Sequence, residues 1–387
     1  MTMPITLVID DDQSFEKICS SCIGRTTKMG EHQFFFAHSD QEALDFLQTK
    51  PDLDLAIVSV DGGPISGMDL FRKLTGYRLR VPRVALTAGK DLSVIRQAMN
   101  NGAADFLTKP VQSDDLLITV DKVFQDCQSR REAWSNEAQL SAIKRELDIA
   151  EDIQRQILPS VFPTREQLDI SAHLTPAKRM SGDFYDTFDL PDGKIGLAVA
   201  DVSGKGIPAA FFMAVARTLL RATAMTNLSP GACLYTVNNL LCQHQITSMF
   251  VSVFYCTLDT KTWKVTYSNG GHLPPYLVRG GGHNDVFPLE GGDGIVLGVK
   301  EDMAFEEGTC QLGHGDSLFF YTDGVTEAFD KERNQFSEER LIEYLLKNRK
   351  LSAHAIAENL FAYVDDFRKG AEQNDDFTSL MIKRSEA

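Results

Sequence analysis

The front of the chain alternates short apolar runs with amphipathic stretches. Residues 5–9, 55–60, 82–86 and 104–107 are mostly apolar segments of strand length. Between them, residues 14 to about 25, 41–47, 68–74 and 91–100 space their apolar positions as helices do, and His38-Ser39-Asp40 reads as a cap before the second of these. Gly62-Gly63-Pro64 reads as a loop after the strand at 55–60. This β-α alternation predicts a doubly wound parallel α/β sheet over residues 1–125, with functional groups beyond the carboxyl ends of the strands.

A helical pattern then runs from about residue 113 to 158 and stops before Pro159. Its front part, with Leu116, Leu117, Val120 and Phe124, is suited to packing on the sheet. Its rear part places Leu140, Ile143, Leu147, Ala150 and Ile157 at alternating three- and four-residue steps, with Gln154 in the missing place. That is a short heptad-like seam, so residues 126–159 read as a helical linker, either a dimeric coiled coil or one amphipathic helix lying on its own domain. From about residue 170 the texture changes. Residues 193–200, 249–257, 262–268 and 316–321 read as strands, and 209–224, 230–243, 337–346 and 353–367 as helices. Strand runs mixed with long helices predict an α+β sandwich flanked by helices over residues 160–387.

Composition narrows the function classes. The 387 residues carry a formal net charge of −15, which argues against nucleic acid or an anionic membrane as the main partner. No run approaches the roughly 18 consecutive apolar residues of a membrane helix. The first nine residues lead straight into a strand and do not read as a signal peptide, so a cytoplasmic location is expected. Seven cysteines are scattered without metal-ligand spacing; Cys19 and Cys22 form a C-x-x-C on a helix with no second pair, which reads as free thiols in a reducing compartment.

Asp10-Asp11 closes the first strand, Leu86-Thr87-Ala88 the fourth and Leu107-Thr108-Lys109-Pro110 the fifth. This set resembles the receiver domain of two-component response regulators. The resemblance implies that Asp10 and Asp11 hold Mg²⁺, that Thr87 and Lys109 contact a phosphoryl group, and that a cognate histidine kinase is a partner. The acceptor position departs from the family. Registering on Gly67-Met68-Asp69-Leu70 puts Ser59 where an aspartate belongs, with Asp61 two residues on. A serine hydroxyl needs a base where a carboxylate is already anionic. Three readings stay open: a receiver that takes no phosphate, an acceptor shifted to Asp61, and a replaced acceptor. Each leaves the domain a regulatory or protein-binding module.

Four acidic motifs mark the back of the chain: Ser181-Gly182-Asp183-Phe184-Tyr185-Asp186, Ala200-Asp201-Val202-Ser203-Gly204-Lys205-Gly206, Tyr321-Thr322-Asp323-Gly324-Val325 and Asn374-Asp375-Asp376-Phe377-Thr378. Carboxylates gathered from distant segments repel one another and raise each other's pKa unless cations neutralise them. With Ile153-Gln154-x-x-Ile157-Leu158-Pro159 and Ser268-Asn269-Gly270-Gly271-His272, these motifs resemble the PPM (PP2C-type) serine/threonine phosphatases, in the bacterial branch of sporulation and stress-response partner switching. The resemblance covers about residues 145–385. It implies two Mn²⁺ or Mg²⁺ ions, held by Asp183, Asp201, Asp323 and Asp375 with the Val202 carbonyl, Asp201 bridging, and a water activated for in-line attack on phosphorus. Asp376 is a further metal or second-layer candidate. Asp186 reads as a capping or second-layer carboxylate, and Lys205 either as part of a tight turn or as a phosphate contact. His272 reads as a structural or a general-acid histidine, and Arg179 is a candidate substrate arginine.

Together these readings imply a receiver-regulated phosphatase acting on a phosphorylated STAS-type anti-sigma-factor antagonist, with a possible homodimer through the linker. The alternative is a non-enzymatic adaptor that binds a stress sigma factor or anti-sigma factor. In such adaptors the metal carboxylates are lost, and here all four are present.

Overall fold

The computed structural model describes residues 4–385 apart from 23–32, 50–52, 62–66, 78–80, 90, 244–247 and 282–285. The expected loop at Gly62-Gly63-Pro64 lies outside the described residues. The chain divides into two compact units, Met1–Ile143 and Lys144–Ala387.

The front unit contains β1 (Ile5–Ile9), α1 (Gln13–Cys22), β2 (Gln33–Ala37), α2 (Asp40–Thr49), β3 (Leu55–Ser59), α3 (Gly67–Tyr77), β4 (Arg83–Thr87), α4 (Leu92–Asn100) and β5 (Asp105–Thr108). The strands form one parallel sheet in the order β2-β1-β3-β4-β5. Successive residues face opposite sides, and both sides are covered. Leu7, Ile9, Ala56, Val58 and Ala85 meet Leu70, Phe71 and Ala98 on one face; Val8, Ile57, Val84 and Leu86 meet Phe15, Leu116 and Val120 on the other. Burial on both faces explains why these strands read as mostly apolar runs. The helix at 91–100 starts where its cap predicts, with the Asp91 carboxylate accepting from Ser93 N. The edge strand β2 was not legible in the sequence.

One helix, α5 (Ser113–Ile157), runs across the division between the units. Along it, Leu147, Ala150, Gln154 and Ile157 of the back unit are buried or half-buried, while Leu140, Ile143, Ile149 and Ile153 are exposed. The lower part of the expected seam is therefore turned toward its own domain.

The back unit is a two-sheet sandwich. It adds β6 (Leu168–Thr175), β7 (Phe184–Asp189), β8 (Lys194–Val202), α6 (Ile207–Ala224), α7 (Pro230–Gln243), β9 (Val251–Asp259), β10 (Lys264–Gly270), β11 (Tyr276–Val278) and β12 (Val286–Pro288). Then follow β13 (Gly308–Gln311), β14 (Ser317–Tyr321), the single turn α8 (Asp323–Thr326), α9 (Ser337–Asn348), α10 (Ala353–Arg368) and β15 (Phe377–Arg384). Two antiparallel sheets result, β13-β10-β9-β8-β7 and β12-β11-β14-β15-β6. Their facing sides share a core in which Leu197, Val199, Phe254 and Cys256 meet Leu318, Phe320, Leu380 and Ile382. The outer side of the first sheet packs on α6 and α7, and that of the second on α9 and α10. Helix α6 is apolar enough, at mean hydropathy 1.3 over 18 residues, to match a membrane span by length and composition. Its Ala209, Met213, Ala216 and Leu220 are buried against the outer side of the first sheet, and it carries Arg217 and Arg221, so it is a packed helix of the back unit.

Candidate functional site

Each acidic motif sits at a strand end. Asp183 directly precedes β7 and Asp201 is next to last in β8; Asp323 lies two residues after the end of β14, and Asp375 and Asp376 precede β15. Antiparallel pairing of β7 with β8 and of β14 with β15 puts all of these ends at one edge of the sandwich. The two sheets meet there through hydroxyls. Thr322 Oγ1 and Thr378 Oγ1 both donate to Asp183 Oδ2, at 2.7 and 2.6 Å. Gly324 is required by the same crossing, because a Cβ there would lie 2.0 Å from the Asp376 carbonyl oxygen.

Carboxylates dominate the local field. Burial, then Asp201 and Asp376, push the Asp183 carboxyl well above the usual range, against the two threonine hydrogen bonds. Asp201 is pushed up to about 7 by burial and by Asp323, with Asp375 and Asp376 adding to it. Asp323 is raised by burial and by Asp375. One ammonium answers them: Lys205 Nζ donates to Asp375 Oδ2 at 2.7 Å and to the Asn374 carbonyl at 2.5 Å. Lys205 lies between Gly204 (φ +92°) and Gly206 (φ +80°), both in the left-handed region that glycine adopts freely, so the tight-turn expectation holds. Among the described residues, no three carboxylate, histidine or cysteine groups converge as a finished ion cage. The donor set nonetheless fits hard divalent ions in its chemistry: several carboxylate oxygens, surplus negative charge, raised pKa values, and a lysine ammonium standing where a cation would relieve Asp375.

Asp376 has both oxygens engaged in the loop that carries Asp183. Oδ1 accepts from Ala177 N at 2.7 Å; Oδ2 accepts from Ser181 Oγ and Gly182 N, each at 2.8 Å. Expected as a metal or second-layer residue, it anchors that loop in this structure. On the opposite side of the loop, Gln154 of α5 pairs with the backbone of Ser181. Neither contact was foreseen, since they span 194–199 and 27 residues and leave no local pattern.

Other candidates are placed differently. Asp186 faces α6, where Arg217 Nη2 at 3.0 Å and Arg221 Nη1 at 3.2 Å hold it in a buried ion pair; it caps nothing. The signal was available: two arginines four apart on an apolar helix need an acid. His272 is buried, with Nε2 3.1 Å from the Tyr321 carbonyl and Nδ1 2.8 Å from Ser252 Oγ. A carbonyl only accepts, so Nε2 carries the proton and Nδ1 accepts from the serine. Burial lowers the imidazole pKa to about 4, which suits a structural histidine. Arg179 pairs with Asp148 at 2.6 Å.

In the front unit, Lys109 Nζ lies 2.7 Å from each oxygen of Asp10, which is 3% exposed and whose pKa burial raises. Asp11 is partly exposed beside it. Ser59 is buried at the end of β3, and Thr87 Oγ1 donates to the Gly89 carbonyl at 3.0 Å. Asp61 Oδ1 accepts from Ala88 N at 2.7 Å, so the shifted carboxylate reaches the end of β4. The sheet thus gathers the expected set at its carboxyl edge, with Ser59 at the end of β3.

Comparison with known proteins agrees with both halves. The family model for Stage II sporulation protein E (SpoIIE) matches residues 191–385, and that for the response regulator receiver domain matches residues 6–121. Phosphoserine phosphatase RsbU of Bacillus subtilis (strain 168) is 32% identical over 246 residues, covering 62% of this chain and 71% of that protein. Protein IcfG of Synechocystis sp. is 27% identical over 270 residues, 62% of this chain and 42% of that protein. The solved SiaA-PP2C domain of Pseudomonas aeruginosa shares the fold at TM-score 0.56 and 21% identity, over 64% of this chain and 98% of that one. The chain therefore belongs to the SpoIIE family, a PPM-type phosphatase preceded by a response-regulator receiver domain.

Proposed function

We propose that the back unit is a Mn²⁺- or Mg²⁺-dependent protein serine/threonine phosphatase whose substrate is a phosphorylated STAS-type anti-sigma-factor antagonist, with the receiver unit as its regulatory input. The observation that carries this reading is the meeting of four acidic strand ends at one edge of the sandwich, with carboxyl pKa values raised by burial and by each other. Ions bound there supply an activated water and charge neutralisation at phosphorus. The residues supply the rest. Asp201 lies between Asp183 and Asp323 in its electrostatic contacts and is the bridging candidate, with the Val202 carbonyl beside it. Asp183 is held in one orientation by Thr322 and Thr378, while Asp375 is held by Lys205 at Oδ2 and by the Asp376 N–H at Oδ1. Lys205 is also the ammonium that an incoming phosphoryl group meets at this edge. RsbU bears the name of a phosphoserine phosphatase and is similar over most of its length, which supports the same substrate chemistry here.

The test is phosphate release from phosphorylated STAS-domain proteins with and without Mn²⁺. Metal-dependent release is expected, and Asp323→Asn is expected to lower it by at least about a thousandfold, as loss of a metal-held nucleophile does. A wild-type protein that releases no phosphate from a panel of such substrates in Mn²⁺ sinks the reading and leaves the adaptor in its place.

A further inference from the structure

Gln154 is a buried side chain of α5 that reaches the loop carrying Asp183. Its amide makes two hydrogen bonds to one residue: Nε2 donates to the Ser181 carbonyl at 2.7 Å, and Oε1 accepts from Ser181 N at 3.0 Å. This is the paired pattern of neighbouring strands, made by a side chain, and it is 6% exposed. Ser181 in turn points its hydroxyl at Asp376 and accepts from Asp183 N at 3.0 Å. One residue is therefore held by α5 through its backbone and by Asp376 through its side chain, two residues before Asp183.

We infer that Gln154 is a positioning residue for the phosphatase: it ties the last turns of α5 to the loop that presents Asp183, so that rotation of this helix changes divalent-cation binding at the site. The inference rests on the metal-dependent reading above and deepens it. The helix has a second attachment to the same loop, Asp148 to Arg179, but those side chains are 59% and 47% exposed. An exposed pair of this kind contributes little and yields easily. The buried amide pair does not yield in this way. Breaking it strands the Ser181 N–H and carbonyl away from water. Geometry makes the link sensitive. A side-chain tip rides roughly 5–6 Å from the helix axis, so a rotation of about 30° sweeps it by roughly 3 Å. Both bonds are then lost together. Ile149 and Ile153, 60% and 55% exposed on neighbouring positions of the same helix, leave a surface through which such a rotation can be imposed.

The test uses the full chain. In metal-free protein, hydrogen exchange at the Ser181 amide reports the clasp itself; Gln154→Leu, similar in volume, is expected to remove its protection while the sandwich strands keep theirs. With Mn²⁺ alone as the probe, Gln154→Leu is expected to bind about ten- to a hundredfold more weakly, the loss usual when a group that orients a ligand is removed. Gln154→Glu supplies a second variant: protonated, it both donates and accepts as glutamine does, so its Mn²⁺ affinity relative to wild type is expected to approach one as pH falls. A space-filling role gives no such pH dependence. Unchanged Ser181 protection in Gln154→Leu, or lost protection with Mn²⁺ affinity within twofold of wild type, overturns the proposal. A wild type that binds no Mn²⁺ overturns the metal reading instead, and the exchange experiment still decides for or against the clasp.

Discussion

The two units each gather carboxylates at one edge of a sheet and place one lysine among them, and they treat that lysine in opposite ways. In the receiver, Lys109 sits 2.7 Å from both oxygens of Asp10, one ammonium against one deeply buried carboxylate. In the phosphatase, Lys205 bonds Asp375 and acts on Asp323 only at a distance, while burial and neighbouring carboxylates still raise the pKa of Asp183, Asp201 and Asp323. The first arrangement balances its most buried charge from within the chain; the second leaves a deficit that an external cation can fill. The contrast lies in the pairing: Lys109 lies against both oxygens of the most buried front carboxylate, while no such pairing reaches Asp183 or Asp201 among the described residues.

The largest effect expected from this contrast is at Asp201. Its folded pKa of about 7 lies above the ordinary 3.8, so its contribution to stability is full below 3.8 and is lost as pH rises through about 7. At pH 7.5 without metal the site is therefore self-repelling. Asp201→Asn is expected to abolish phosphatase activity and Mn²⁺-induced stabilisation, yet to raise the melting temperature of the metal-free protein by about 2–6 °C, the equivalent of roughly 1–2 kcal/mol in a unit of this size. A metal-free melting temperature that falls instead breaks the claim of an uncompensated cluster.

The two lysines give the next test. Lys109→Met leaves Asp10 buried without its partner and is expected to destabilise the front unit by about 3 kcal/mol. Lys205→Met removes a pair whose members are 38% and 34% exposed and is expected to change stability by less than about 1 kcal/mol. Urea unfolding of the full-length variants, followed by hydrogen exchange in each unit, separates the two. Equal losses at both lysines erase the distinction between the sites.

Much of this was legible along the chain, for identifiable reasons. Strands such as β3 and β8 are buried on both faces and read as apolar runs, and helices α6, α7 and α10 kept their boundaries to within two residues because Pro208, Pro230 and Ser352 mark their starts. The acidic motifs were found because each is local. What escaped was long-range. Strand β7 hid because Asp186 occupies a core-facing position between Phe184 and Phe188, and the arginines that make this tolerable lie 31 and 35 residues away. Asp376 read as a metal or second-layer residue because it stands beside Asp375, and its bonds to Ala177, Ser181 and Gly182 leave no local trace. Gln154 appeared to be a flaw in a heptad seam, and its partner is the backbone of Ser181, which no side-chain pattern reveals.

His272 supplies the finest test, because its sign is opposite to that of Asp201. The ring is neutral in the folded protein with a pKa lowered to about 4, against 6.5 in the unfolded chain. A depressed folded pKa means that the unfolded state binds the extra proton between those values. The contribution is thus present above pH 6.5 and is lost as pH falls toward 4, at up to about 1.4 kcal/mol per pH unit. His272→Gln keeps a neutral hydrogen-bonding side chain and is expected to flatten the stability profile between pH 4 and 6.5, by on the order of 3 kcal/mol over the window. The comparison is best made in an Asp201→Asn background, where the opposing carboxylate has been removed. The same substitution decides the role of the ring in catalysis. A structural histidine held by Tyr321 and Ser252 predicts a loss of kcat below about tenfold, with its pH dependence unchanged. Disappearance of the basic limb of the kcat profile identifies His272 as the proton donor, despite its depressed pKa and the carbonyl that already receives its proton.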